Sequence, residues 1–144
     1  MENIGLIGVV MALALAAIGS ALGAGAAGMT AIGAWKRNYL QNKPAPFLLV
    51  AFVGAPLTQT IYGFILMNAL NSAAANLDGW LTLGAGVLGG LALGASAWLQ
   101  GKAAAVACDA LAETGKGFGN FILVIGLIET VALFVMVFLL GLIG

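Results

Sequence analysis

Residues 117–144 read GFGNFILVIGLIETVALFVMVFLLGLIG, a run in which Glu129 is the single charged side chain. A hydrocarbon core about 30 Å thick is crossed by roughly 20 apolar residues in a helix. The run therefore predicts a membrane-crossing helix with one acid near its middle. Working back along the chain, residues 3–35, 44–77 and 79–101 carry no charge at all. Each is long enough to cross, which makes four spans.

Composition agrees. The chain is 62% hydrophobic and 7% charged over 144 residues, with a mean hydropathy of +1.13. Ten charged side chains cannot cover the surface of a soluble domain of this length. The start, Met1-Glu2, lacks the basic residues and short apolar stretch of a cleaved signal, so the first span is expected to be retained. With no histidine, no serine–histidine–acid triad can form, and the sequence has no phosphate-cradling loop of the Walker type. Cys108 stands alone and forms neither an internal disulfide nor a zinc site. The expected chain is not an enzyme on its own and needs no organic cofactor. Nucleic acid is not among its expected partners.

Orientation follows from Lys36, Arg37 and Lys43, which cluster between the first two spans. By the positive-inside rule, loop 36–43 is cytoplasmic. Segment 109–116, with Asp109, Glu113 and Lys116, is then the second cytoplasmic connection, and both termini and the turn near Asn76 and Asp78 face outside. Trp35, Tyr39 and Trp80 lie near predicted helix ends, where aromatic residues anchor at the interface. Lys102 is expected to snorkel toward the cytoplasm as a boundary residue.

The four spans divide into two hairpins, residues 1–76 and 77–144, that read as a duplication. A shift of 76 sets Ser20-Ala21 and Gly25 on Ser96-Ala97 and Gly101, and Ala24 on Gln100; a shift of about 70 sets Gln59 and Thr60 on Glu129 and Thr130. Internal repeats of this kind are common in membrane transport proteins. Glycine is concentrated in the first and third spans, as Gly19-x-x-x-Gly23 and as Gly86, Gly90 and Gly94. Four-residue spacing lines small residues along one helix face and lets backbones approach closely. The first and third spans are thus expected to pack tightly, as the inner wall of a ring would, with the second and fourth facing lipid.

An ionisable group at the bilayer centre costs on the order of 3 kcal/mol even on lenient scales, so such groups ordinarily face partners and serve function. At similar depth stand Thr58, Gln59 and Gln100, with Tyr62 one turn beyond Thr58 on the same helix face. Pro56 removes a backbone donor and frees carbonyl oxygens nearby. One carboxylate, two amide oxygens, a hydroxyl and a carbonyl compose an all-oxygen set suited to a hard cation. A proton carrier would need only the carboxyl and one acceptor, so Na+ is the expected ion and H+ the alternative.

The segments Ala55-Pro-Leu-Thr-Gln-Thr-Ile-Tyr-Gly63, Gln100-Gly-Lys102 and Leu127-Ile-Glu-Thr130 resemble the proteolipid subunit, K or c, of bacterial V-type rotary ATPases, over essentially the whole chain. The resemblance implies an all-α membrane protein of two hairpins that assembles with copies of itself into a rotor ring. It implies a sodium site on Glu129, Gln100, Gln59, Thr58 and the backbone carbonyl of Ala55, with Tyr62 beside it. It also implies a stator subunit bearing an essential arginine, a central-stalk subunit and surrounding lipid as partners, with ATP chemistry in other subunits. Leu57 and Thr60 depart from the pattern, standing where glycine is expected. Two other classes share a membrane acid: a small oligomeric transporter and a channel-forming assembly.

Overall fold

The computed structural model describes residues 2–144, with side-chain surroundings from residue 4 onward; Met1 and the side chain of Glu2, on which the reading of the N-terminus rests, lie outside the described residues. The described residues are all helical or in short connections, and contain no strand. Five α-helices make up the four spans: α1 (Glu2–Leu40), α2 (Leu49–Gly54), α3 (Thr58–Ala73), α4 (Gly79–Thr114) and α5 (Phe118–Ile143). All four spans are long and apolar enough to cross a membrane.

The second span is broken where proline predicts a disturbance. Residues Ala55–Leu57 form a single 3-10 turn between α2 and α3. Pro56 has no N–H for the carbonyl one turn back, and tightening to a three-residue turn is a common way to accommodate this. The turn stays inside the span and points the helix that follows toward α4 and α5.

The third span exceeds its expected limits. Asp109 and Glu113 do not lie in a loop: α4 continues through both to Thr114, and the connection is only Gly115–Gly117. Gly115 and Gly117 take φ of 67° and 94°, conformations that glycine adopts without steric cost, and this reverses the chain within three residues. At about 1.5 Å per residue, α1 and α4, of 39 and 36 residues, are each more than 50 Å long and overrun the apolar layer. At the overrun Arg37 on α1 pairs with Asp109 on α4 at 2.9 Å. Both side chains are partly exposed, so the pair contributes orientation more than stability.

The tight packing expected of the first and third spans is present. α1 and α4 run parallel: Gly8 lies against Thr82 and Leu83, Gly19 against Gly94, and Gly23 against Ala97. At Gly19, Gly86, Gly94 and Gly101, an added Cβ would fall on backbone atoms of the facing helix. Main chain thus touches main chain, which only glycine permits. The proposed repeat is imperfect here, because Gly101 is pressed on Gly23 while Gly25, its counterpart, meets open space.

Two apolar clusters flank this seam. Toward one end, Phe52 and Leu49 pack with Ala27, Ala31, Ala104, Cys108 and Ile125, and Cys108 is an ordinary small core residue. Toward the other end, Leu66 and Leu70 pack with Ala12, Ala16, Leu93 and Ala132. α5 is the least buried span, with Leu123, Leu127, Val131, Phe134 and Phe138 exposed. In water such a face would be a liability, whereas in lipid it is the expected outer surface. The ammonium of Lys102 lies 4.3 Å from the ring centroid of Trp98, one turn back along α4. A cation over an indole face is attracted by the ring quadrupole.

Candidate functional site

The 3-10 turn, α3, α4 and α5 converge between the two apolar clusters, and Ala55, Thr58, Gln59, Tyr62, Gln100 and Glu129 are linked there. Gln59 and Gln100 are fully buried; Glu129, the twelfth residue of α5, is half-buried. Its two oxygens are gripped from different helices. Tyr62 Oη on α3 donates to Glu129 Oε1 at 2.8 Å, and Gln100 Nε2 on α4 donates to Oε2 at 3.1 Å. Gln100 Nε2 also donates to the carbonyl of Ile125 at 3.0 Å.

A second layer holds the first. Gln59 Nε2 donates to Gln100 Oε1 at 2.8 Å and to Ser96 Oγ at 3.3 Å. Thr58 Oγ1 lies 3.1 Å from both the Ala55 carbonyl and Gln59 Oε1. The Ala55 carbonyl, in the turn that Pro56 creates, therefore reaches the network through Thr58. Hydrogen bonds to ionised partners are about twice as strong as neutral ones, and low dielectric raises the stakes further. The network is closed, with each amide bonded at both ends.

One feature differs from the expected all-oxygen cage. The amide oxygens of Gln59 and Gln100 accept hydrogen bonds within the network, and the groups that face Glu129 are donors, a phenol O–H and an amide N–H. This arrangement is matched to a carboxylate without a cation. Because the O and NH2 of a glutamine amide occupy nearly the same volume, half-turns of the two amides would present oxygens in the same space. The residues thus suit a hard cation after reorientation of the two glutamines. Among the described residues there is no group of three or more His, Cys, Asp or Glu side chains, so a transition-metal site of that kind is not built there.

Leu57 and Thr60 do not obstruct the site: Leu57 is exposed, and Thr60 is half-buried beside Gln59. Sequence reasoning named Ser96 only as a mark of the repeat and did not place it at the site. Its spacing of four residues before Gln100 puts the two on one helix face, and that was the available signal.

At mid-span, then, the carboxyl of Glu129 on α5 is gripped by donors from two other helices, α3 and α4. Residues 83–142 match the family of ATP synthase C subunits. This stretch holds Ser96, Gln100 and Glu129, and leaves Thr58, Gln59 and Tyr62 outside it. The chain is also 32% identical over 132 residues to the A-type ATP synthase subunit K of Methanocaldococcus jannaschii, an alignment that takes in 91% of this chain and 57% of the relative. The chain thus spans a little over half the length of the curated relative it matches. The family match lies entirely in α4 and α5, while the relative extends the similarity to α1–α3.

Proposed function

We propose that this chain is the non-catalytic, ion-translocating proteolipid of a V/A-type rotary ATPase, and that Glu129 carries Na+ past the stator as a ring of such chains turns. The observation that carries the proposal is the grip on Glu129: one acid at mid-span, held by Tyr62 and Gln100 in a chain similar to subunit K. With ion or proton bound, the carboxylate is near neutral and passes through lipid; ionised, it is excluded by the cost of a bare charge there. Rotation is gated by that difference. ATP chemistry belongs to other subunits.

Cation loading would bring the oxygens of Gln59 and Gln100, the Thr58 hydroxyl and the Ala55 carbonyl to the ion beside Glu129, with Tyr62 holding the carboxylate. Each chain then supplies one site from two hairpins, residues 1–76 and 77–144. Copies pack side by side with α1 and α4 on the inside and the apolar face of α5 toward lipid. Loop 36–43 and the connection after α4 face the cytoplasm and the central stalk, with both termini outside. A stator arginine displaces the ion from each Glu129 in turn.

The Tyr62 hydroxyl favours a second reading, a proton carrier, since it donates to the ionised carboxylate and can accept from the protonated one without any cation. ATP-driven 22Na+ uptake by the purified complex in vesicles separates the two. A primary sodium rotor keeps its uptake when a protonophore collapses the proton gradient. Uptake that disappears with the protonophore, or no uptake beside active proton pumping, assigns the carrier to H+.

A further inference from the structure

Ser96 behaves unlike Thr30, Thr82 and Thr114, three other hydroxyls on these helices. A serine or threonine in a helix can bond back to the carbonyl four residues earlier, and Thr30, Thr82 and Thr114 do so, to Ala26, Asp78 and Ala110 at 3.0, 3.1 and 2.7 Å. Ser96, 6% exposed, instead reaches across helices. It donates to the carbonyl of Ile128 on α5 at 3.0 Å and accepts from Gln59 Nε2 on α3 at 3.3 Å. One hydroxyl therefore joins α3, α4 and α5 next to Glu129. Burial alone does not produce this, because Ser20, 76 residues earlier and 2% exposed, has no hydrogen-bond partner.

The bond has a directional consequence. Gln59 Nε2 donates to Ser96 Oγ and to Gln100 Oε1, and both of its N–H groups are thereby used. That fixes Gln100 with its oxygen toward Gln59 and its nitrogen toward Glu129. A hydroxyl is both donor and acceptor, so Ser96 can also serve a turned Gln59 by swinging its O–H from Ile128 to Gln59 Oε1. We propose that Ser96 is a positioning residue of the ion site, a hydroxyl latch that, through Gln59, sets whether the Gln100 amide presents N–H or oxygen toward Glu129. The proposal rests on the reading of Glu129 as the ion carrier. Ser96 itself acts through the two glutamines.

The test compares wild type, Ser96→Ala and Ser20→Ala as purified rings. The first readout needs no cation: the infrared carboxyl band of Glu129 in sodium-free buffer, isolated by subtracting the spectrum of Glu129→Gln. We expect the band to move in Ser96→Ala and to stay in place in Ser20→Ala. The second readout is the Na+ concentration that half-protects Glu129 from a hydrophobic carbodiimide, expected to rise about tenfold in Ser96→Ala, the lower end of what loss of a residue supporting a metal ligand costs. A Glu129 band in Ser96→Ala identical to wild type overturns the proposal. If wild type shows no sodium protection, the sodium reading fails while the band comparison still decides the role of Ser96. Should Ser96→Ala not assemble, Ser96→Cys, nearly isosteric but a weak donor and acceptor, is read with the same two outcomes.

Discussion

Glu129→Gln is expected to abolish ion transport by the assembled complex while leaving the chain folded and in its ring. Glutamine keeps the shape of the side chain and an oxygen for the Tyr62 hydroxyl, which now donates to Glu129 at 2.8 Å. It removes the only ionisable group that α5 carries, and with it the means of exchanging an ion. Stability should not fall much, because a mid-membrane carboxylate itself costs on the order of 3 kcal/mol. ATP-driven uptake and ring migration on a gel, measured on the same preparation, check both halves. A channel or scaffold reading predicts function intact in Glu129→Gln; a structural carboxyl predicts that the ring is lost.

The second large effect belongs to the α1–α4 seam. Gly94→Leu should prevent the native packing, since even a Cβ at Gly94 would meet the carbonyl oxygen of Leu15. Overpacking ordinarily costs about 1–3 kcal/mol because side chains shift to make room. Here the obstacle is main chain on a parallel helix, which cannot yield without parting the seam, so we expect a loss of about 3 kcal/mol or more. Gly141→Ala is the matched control: nothing lies within 4 Å of its added Cβ, and alanine is favoured over glycine in a helix by about 1 kcal/mol. Helicity followed through an SDS titration in detergent should show Gly94→Leu unfolding far earlier than wild type and Gly141→Ala no earlier. Equal midpoints for Gly94→Leu and wild type would contradict the packing described.

These two effects show how differently fold and site were written in the sequence. The four spans were legible because charge is costly in lipid, so three charge-free runs and a fourth with a single acid mark them directly. The glycine stripe was legible for a related reason: four-residue spacing in two helices has a simple geometric meaning. The true end of α4 was not. Asp109 and Glu113 look like loop residues in a one-dimensional reading, but α4 overruns the apolar layer, and Asp109 there finds Arg37 on a helix 72 positions away.

At the site, Glu129, Gln100, Gln59, Thr58 and Tyr62 could be gathered by depth and helix face, and Pro56 announced the break that brings the Ala55 carbonyl to Thr58. What sequence could not supply was the sense of each hydrogen bond. Whether Gln100 turns nitrogen or oxygen toward Glu129 depends on what Gln59 offers, and that depends in turn on Ser96 and Thr58. Ser96 went unrecognised for the same reason: its role lies in two bonds to other helices, and a serine in an apolar helix has no one-dimensional mark that separates it from Ser20.

The most direct measurement is the rate at which a hydrophobic carbodiimide modifies Glu129 in the purified protein, located by mass spectrometry, with sodium or potassium at matched ionic strength across a range of pH. The reagent attacks the protonated carboxyl, so a bound cation protects it. Protection by sodium and not by potassium is the predicted result. Modification that follows pH alone contradicts sodium as the cargo, and a Glu129 that never reacts contradicts its place as the carrier.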